Sequence, residues 1–483
     1  MSKRNDALQL AMTDFVHDSR QPSFVYNSLF LIYSAAKAVK PDWTPVDYHY
    51  MGRLWMAVLG SLTVVALWRL GAKFDDNGNK IGLGSALLLA VVPLHTACSR
   101  YIKEDAPFAL MVTLTVLAMV ASLREPSRMK WMLVGLVGGL TFSTKYAGVV
   151  LLAPVLLAFV VSMRRTERGI PAAIVDLTAL AGAFTLGFFI VSPIYLFHPE
   201  KFVAGFLFQS RYSVAGHDGI VIDPWQHWWT YYIRNGLIPG MTWPVFLLSV
   251  AGLGLLARMR EGWIVSVTAV WLYIIFEHAR AKPLPFPARY LMPLTPLLSL
   301  AAGVALVELA AALKQKLAAP LVYAVCGLLF IAPPLVKSLL ISDEALNDTR
   351  IIAGEWMEQN IPLGARIVVT EDATGLPVST FWRTRWQVED RDKSLDTSWA
   401  GDAPPYFVFS SFKFQRYLDS PDSAPERTAF YRKVMSDFAL LKEFRPRWFT
   451  YGKHSPVIRI YKPGNERSPN SGQRRPVESD QPL

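Results

Sequence analysis

Before about residue 340 the chain alternates between long apolar runs and short charged gaps. A helix needs about 20 apolar residues to cross the hydrocarbon core of a bilayer. The apolar runs predict ten membrane-spanning helices: Gly52–Leu70, Ile81–Ala97, Ala106–Leu123, Trp131–Phe142, Ala147–Met163, Pro171–Leu196, Gly236–Ala257, Trp263–Phe276, Tyr290–Leu313 and Ala318–Leu340. Two of them, Trp131–Phe142 and Trp263–Phe276, are short, and the first is a candidate half-span that meets its neighbour at the turn 143–146.

Lysine and arginine residues concentrate in every second gap, as the positive-inside rule requires of cytoplasmic loops. We place in the cytoplasm the gaps that hold Arg69, Lys73 and Lys80; Arg124, Arg128 and Lys130; Arg164, Arg165 and Arg168; Arg258 and Arg260; and Lys314 and Lys316. The loops 99–105, 143–146, 197–235 and 278–289 then lie outside. This pattern predicts a multi-pass protein of the plasma (inner) membrane, with both chain ends on the outer or periplasmic side.

The segment Ser23–Ala38 is apolar but interrupted by Tyr26, Asn27, Tyr33 and Lys37. A further span here would break the parity of the two ends. We therefore predict an amphipathic helix on the outer interface, within an outer-face segment of residues 1–51 that precedes a transmembrane domain of residues 52–340.

After residue 340 charged, Pro, Ser and Asp residues return to the frequency of a globular protein. Residues 341–462 are predicted to form a small α/β domain outside the membrane, with helices and three strands. The tail that follows, residues 463–483, is predicted to be disordered. The predicted helices are Asp348–Asn360, Phe412–Leu418 and Pro425–Leu440, and the predicted strands are Arg366–Thr370, Tyr406–Ser410 and Val457–Tyr461.

Composition supports the membrane interpretation and excludes several alternatives. Of 483 residues, 52% are hydrophobic and 18% are charged, whereas soluble proteins carry about 25% charged residues. The net charge of +11 sits largely in short loops and in the tail, so it favours a bilayer over a nucleic acid as partner. The two cysteines, Cys98 and Cys326, lie in apolar runs and predict no metal site. P-loop, dinucleotide-binding and HExxH motifs are missing from the sequence.

The candidate catalytic residues are Asp105 and Glu104, an acidic pair at the outer start of a predicted span. Acidic residues at a helix N-terminus commonly stabilise that end. The alternative is a carboxylate that orients a polar acceptor or binds a divalent metal at the water boundary. The sequence leaves both open, and Asp105 is the candidate ligand if a metal is used.

Basic residues on the outer side suggest a phosphate site. Lys145 interrupts an apolar run and is either a lysine that extends to the interface or a cation held for a phosphate. His278, Arg280 and Arg289 crowd one outer loop, against the positive-inside bias. The neighbouring Tyr101, Tyr146 and Tyr290 are predicted to lie near substrate.

Seven stretches in a fixed order carry a family resemblance: Gln21–Phe30, Ser99–Tyr101 with Asp105–Pro107, Ser143–Tyr146, Ser192–Pro193 with His198–Pro199, Ala288–Pro296, Ser410–Ser411 with Arg416–Tyr417, and Ser455–Lys462. With them the chain resembles the polytopic GT-C-type glycosyltransferases. The similar group is the family 39-like one, which includes protein O-mannosyltransferases and lipid A aminoarabinose transferases.

The resemblance implies an all-α membrane domain followed by a small α/β domain, and transfer with inversion from a polyprenyl-phosphate sugar. The acceptor would be a glycolipid, polysaccharide or protein outside the cytoplasm. An outer carboxylate would deprotonate this acceptor, and basic residues would bind the leaving phosphate. Asp105 matches the second outer acidic position of the family, and Lys145 and Arg289 match its basic positions.

The N-terminal end of the chain departs from the family pattern. The family begins with a membrane helix and an acidic pair that carries the main catalytic carboxylate, and the stretch Ala7–Phe15 resembles the segment directly after that pair. The pair itself is then expected just before Met1, or this chain is a truncated, non-catalytic relative. A transporter or flippase of lipid-linked sugar is the other alternative, although paired internal repeats typical of transporters are not evident in the sequence.

Overall fold

We describe the protein from a computed structural model, for residues 21–74, 79–167, 169–215, 231–278, 287–370, 385–391, 394–397, 405–451 and 454–463. The described residues divide into two compact units. One unit comprises those up to Asp343, and the other comprises those from Glu344. The domain bounds predicted from the sequence stay predictions.

The first unit is helical, and the last of its helices extends past Asp343 to Leu346. Its α-helices are α1 (Phe24–Val39), α2 (Pro45–Gly71), α3 (Lys80–Val91), α4 (Pro93–Cys98), α5 (Asp105–Arg124), α6 (Arg128–Thr144), α7 (Leu152–Arg165), α8 (Ile170–Val191), α9 (Ile194–Phe197), α10 (Pro199–Ala215), α11 (Ile238–Met241), α12 (Trp243–Arg258), α13 (Gly262–His278), α14 (Thr295–Lys314), α15 (Ala319–Cys326) and α16 (Ala332–Leu346). Two 3₁₀ helices, Tyr146–Leu151 and Pro287–Leu294, and two π-helical turns, Ile233–Leu237 and Gly327–Ile331, complete it.

Within the described ranges six helical stretches are long and apolar enough to cross a membrane: Val46–Gly71, Asp105–Arg124, Tyr146–Arg165, Ile170–Val191, Ala288–Lys314 and Ala319–Asn360. A bent pair, Ile233–Met241 with Trp243–Arg258, makes a seventh if it is one span. The chain is therefore an integral, multi-pass membrane protein. The predicted count of about ten spans roughly fits, because several further apolar helices among the described residues are too short to qualify alone.

The predicted span Ile81–Ala97 is interrupted in the structure. Proline cannot donate a backbone hydrogen bond inside a helix, and Pro93 begins a new helix after Val92 adopts an extended conformation. The result is two short helices, α3 and α4, in place of one. The predicted outer loop 197–235 also needs correction, because α10 occupies its first part.

The helix predicted over Ser23–Ala38 is present as α1, and polar contacts attach it to the end of α8. The side-chain amide of Asn27 donates to the carbonyl oxygen of Val191 at 2.7 Å, and the backbone N–H of Ser23 donates to the hydroxyl of Ser192 at 3.3 Å. Its placement on the outer interface stays a prediction.

Glycines let helices α6 and α8 pack closely. A Cβ atom on Gly135 or Gly139 would clash with the backbone oxygens of Leu180 and Phe184, and one on Gly187 would clash with that of Leu136. Gly135 and Gly139 are four residues apart, so they share one helix face. Small residues with this spacing allow close contact between membrane helices.

The second unit contains a five-stranded sheet with the strand order β2-β1-β3-β5-β4. The strands are β1 (Arg366–Val369), β2 (Gln387–Asp390), β3 (Tyr406–Ser410), β4 (Phe438–Phe444) and β5 (Ile458–Pro463). β1 pairs in parallel with β2 and β3, whereas β5 pairs antiparallel to β3 and β4. Three helices complete the unit: α17 (Thr349–Asn360), α18 (Ser411–Asp419) and α19 (Pro425–Asp437).

The all-α membrane part followed by a small α/β part agrees with the predicted fold class. Two details of the second unit were wrong. The helix predicted to reach Leu440 ends at Asp437, and Phe438 begins a strand instead. Strand β2 was not predicted, because its residues Gln387–Asp390 are mostly polar and only partly buried.

Candidate functional site

The first element of the candidate site is the start of helix α5. Asp105 is the first residue of this helix, and its side chain is only 4% exposed. Its carboxylate therefore lies in the first turn, where the helix dipole stabilises negative charge. The preceding Glu104 occupies the cap position but makes no side-chain cap hydrogen bond, so simple end-capping by Glu104 does not explain this acidic pair.

The second element is the break between helix α6 and the 3₁₀ helix Tyr146–Leu151. Lys145 adopts an extended conformation, with φ −157° and ψ 133°, which ends α6 after Thr144. Its Nζ atom lies 2.8 Å from Oδ1 of Asp105, and its side chain is 15% exposed. The predicted turn at 143–146 is thus present, and Lys145 turns inward to Asp105 instead of extending to water.

The third element is the 3₁₀ helix that precedes α14. Arg289 donates from Nη2 to the hydroxyl oxygen of Tyr290 at 2.7 Å. The ring of Tyr290 lies 5.3 Å from Nζ of Lys145, and the ring of Phe108 lies 5.7 Å from it. Arg289 is also close enough to Asp105 for the two charges to interact. We call Asp105, Lys145, Arg289 and Tyr290 the charged cluster.

The charged cluster has one more positive than negative charge. Charges interact more strongly where water is excluded, and Asp105 and Lys145 are largely buried. The carboxylate holds the lysine in place, and the surplus positive charge with fixed N–H donors favours an anion such as phosphate. The cluster can therefore bind a phosphate beside a carboxylate.

A metal at Asp105 gains no support from its neighbours. Among the described residues no group of three or more His, Cys, Asp or Glu side chains is arranged to hold a metal ion. Asp105 is instead neutralised by Lys145. The suggestion of a divalent metal stays an untested prediction.

The other predicted site residues are placed differently. Tyr101 is partly exposed in the loop before α5 and packs against the helical core. The helix α13 ends at His278, but the position of its side chain lies outside the description, and Arg280 lies outside the described residues altogether. The grouping of these two residues with Arg289 therefore stays a prediction.

Tyr146 lies in a separate group of rings, which we call the aromatic cluster: Phe142, Tyr146, Phe188, Tyr195 and Phe202. Its hydroxyl is 3.1 Å from that of Tyr195, and its ring centroid is 5.8 Å from that of Phe202. A cavity of about 240 Å³ opens beside Phe142, Phe188, Tyr195 and Phe202. The sequence analysis did not predict this cluster, although the spacing of Phe184 and Phe188 on one face of α8 was a possible signal.

Comparison with known proteins places this site in a family context. The family model described as dolichyl-phosphate-mannose-protein mannosyltransferase matches residues 49–197, less than half of the chain. That segment contains Asp105, Lys145 and Tyr146. The resemblance to GT-C-type glycosyltransferases inferred from the sequence is confirmed over this segment, and it supports the class of membrane glycosyltransferase.

Two solved structures are also similar. The crystal structure of ArnT from Cupriavidus metallidurans bound to undecaprenyl phosphate is 16% identical, covers 92% of this chain and 88% of its own, and has a TM-score of 0.48. The apo structure of the same protein is 16% identical, covers 91% and 87%, and has a TM-score of 0.46. A search among curated protein sequences finds no significant match.

Proposed function

We propose that this protein transfers a sugar from a polyprenyl-phosphate carrier to an acceptor at the outer face of the membrane, with inversion at the anomeric carbon. The single observation that carries the proposal is the buried pair of Asp105 and Lys145, with Arg289 and Tyr290 beside it. The matched family model, whose name describes transfer of mannose from a lipid phosphate, supports the reaction class.

The charged cluster suits the leaving group of this reaction. When the bond between the sugar and the phosphate breaks, the polyprenyl phosphate gains negative charge. Lys145 and Arg289 are the proposed ligands of that phosphate. Because Asp105 and Tyr290 already fix these side chains, they need not reorganise during the reaction, and such preorganised charge is usually the largest electrostatic contribution to catalysis.

Inversion requires the acceptor hydroxyl to attack the anomeric carbon from the face opposite the phosphate. The hydroxyl proton must pass to a carboxylate as the new bond forms. Asp105 is the carboxylate beside both cations, so we assign it to orient the acceptor and to hold Lys145. Glu104 precedes it and is the second candidate.

The aromatic cluster suits the isoprenoid chain of such a donor. Tyr146 follows Lys145 directly in the sequence, so the proposed phosphate ligand and the ring cluster begin at the same turn. The cavity is lined by side chains of α6, α8, α9 and α10 and is almost wholly apolar. A hydrocarbon chain gains stability in such a site because its apolar surface leaves water.

One structural observation favours the alternative function of a transporter. Thr242, at φ 72° and ψ 150°, joins α11 and α12 with a bend of 103°. Interrupted helices are typical of transporters. Vesicles that contain the purified protein distinguish the two functions, because a transporter moves labelled lipid-linked sugar across the bilayer and leaves the sugar–phosphate bond intact. Release of polyprenyl phosphate with labelling of the acceptor supports the transferase.

A further inference from the structure

A second charged group lies at the end of α5 opposite Asp105. The side chain of Glu261, in the turn between α12 and α13, is fully buried. Arg124, Arg165 and Arg260 surround it, with nitrogen-to-oxygen distances of 3.2, 3.8 and 3.1 Å. Arg124 ends α5, and a helix of its length is about 30 Å long. This group therefore lies at the far end of α5 from the charged cluster, and we call it the arginine group.

One arginine would neutralise Glu261, so the arginine group has two surplus positive charges. Neither carboxylate oxygen of Glu261 accepts a hydrogen bond of good geometry within the described ranges. The guanidinium N–H donors are therefore not saturated by Glu261. Arg165 and Arg260 are also 44% and 79% exposed, so an outside ligand can reach them.

The geometry points to a binding site for a phosphate group carried by an anionic lipid. Guanidinium groups bind phosphate in a two-point geometry, and basic pockets between membrane helices recognise anionic headgroups. Three elements contribute here: the end of α5, the end of α7 and the turn before α13. Glu261 neutralises one of the three arginine charges and so limits the surplus charge of the group. Free phosphate shares this chemistry, and the experiment separates the two sources.

Native mass spectrometry of the full purified chain with added phosphatidylglycerol tests the proposal. Arg165→Gln and Arg260→Gln should each weaken lipid retention about fivefold, the factor that corresponds to about 1 kcal/mol per basic residue near a lipid surface. The neighbours Arg164→Gln and Arg258→Gln are matched controls, since they remove the same charge from exposed positions without an ion pair to Glu261. Both controls should retain the lipid as the wild type does.

Glu261→Gln should change lipid retention in the opposite direction to the arginine variants. It raises the surplus charge from two to three and should strengthen retention of phosphatidylglycerol about fivefold, whereas phosphatidylcholine should show no change. A merely structural ion-pair group would show no gain. Arg165→Lys keeps the charge but loses the two-point geometry, so it should recover only part of the binding that Arg165→Gln loses.

Inorganic phosphate distinguishes the ligand source. If millimolar phosphate binds with the same dependence on Arg165 and Arg260 and displaces the lipid completely, the site is one for free phosphate, and the lipid assignment is overturned. Retention of phosphatidylglycerol that responds equally to the four arginine changes, or to none of them, would also overturn the proposal.

Discussion

The Nζ atom of Lys145 lies 2.8 Å from Oδ1 of Asp105, although 40 residues separate them along the chain. One residue begins a membrane helix, and the other ends the next one. A buried ion pair is weak evidence of net stabilisation, because taking both charges out of water can cost more than their attraction returns. Their pairing therefore needs a reason beyond stability, and the proposed phosphate site supplies one.

Asp105→Asn should lower the rate of sugar transfer by about 10²-fold or more, the range seen when one preorganised charged or donor group is lost from an active site. The variant preserves size but leaves Lys145 without its buried counter-ion, so the rate is normalised to the amount of folded protein. The rate with purified protein and excess donor is the measurement.

Glu104→Gln distinguishes the catalytic role of Glu104 from that of the neighbouring Asp105. Because Glu104 lacks the contact with Lys145, its loss should reduce the rate less than that of Asp105. The opposite order would assign the main acidic role to Glu104.

Lys145→Ala should destabilise the protein by about 3–5 kcal/mol, because the buried Asp105 then loses the cation that forms its ion pair and hydrogen bond. The double variant Lys145→Ala with Asp105→Asn should recover part of this loss, since no charge stays buried. Unfolding in detergent, followed for both single variants and the double variant, gives the coupling energy. If the loss of stability in the double variant equals the sum of the losses in the two single variants, Asp105 and Lys145 do not interact energetically.

Phe202→Ala should weaken the use of long-chain donors more than that of short-chain donors. The ring lies in the aromatic cluster, and its removal takes away apolar contacts with the isoprenoid chain. The KM ratio for a polyprenyl and a short prenyl donor should rise, with kcat nearly constant. Phe197→Ala is a suitable control, because Phe197 is 77% exposed. Equal effects in both variants would argue against the proposed tail site.

Gly139→Val should separate helices α6 and α8 and lower stability, because the new side chain meets the backbone oxygen of Phe184. Overpacking of a close contact typically costs about 1–3 kcal/mol. Gly182→Ala on α8 is the control, since a Cβ there meets no atom within 4 Å. Thermal unfolding of both variants should show a loss only in the first.

The second unit should lose stability in acid. Hydrogen bonds from Arg366, at 2.7 Å, and Arg391 hold the pKa of the Glu389 carboxyl below its usual value. A lowered pKa contributes stability above the ordinary Glu range of about 4.3, and this contribution disappears as the pH falls from there through the folded-state pKa. Amide hydrogen exchange of β1 and β2 in the full chain, compared between neutral pH and pH near 3, measures this loss of stability.

Glu389→Gln should reduce that acid dependence. Glu355→Gln, at an exposed position on α17, should leave it unchanged. An identical pH profile in the wild type and Glu389→Gln would show that this carboxyl does not stabilise the sheet.

The fold class could be predicted from the sequence because apolar runs and positive loops are strong signals of membrane helices. The breaks at Val92 and Thr242 could not, since the local backbone conformation there depends on how neighbouring helices pack. Strand β2 escaped prediction because Gln387–Asp390 pairs through its backbone and shows no apolar pattern.

The site was predicted in part. Asp105, Lys145 and Arg289 stood out as charges near span ends, and their resemblance to a family pattern grouped them. The contact between Asp105 and Lys145 could not be deduced, because it depends on Lys145 leaving the helix axis at one extended residue. The position of Tyr146 among aromatic rings likewise required the packing of α6 against α8.

The most direct test of the central claim is the transfer reaction itself. The purified protein in vesicles is given a polyprenyl-phosphate donor with labelled sugar and a cell-envelope extract as acceptor, and released polyprenyl phosphate is counted. We expect release with the wild type, loss of at least about 10²-fold with Arg289→Ala, and near wild-type release with the exposed-site control Arg258→Gln. Donor that stays intact with folded wild-type protein, or equal release by the Arg289→Ala variant, would contradict the account.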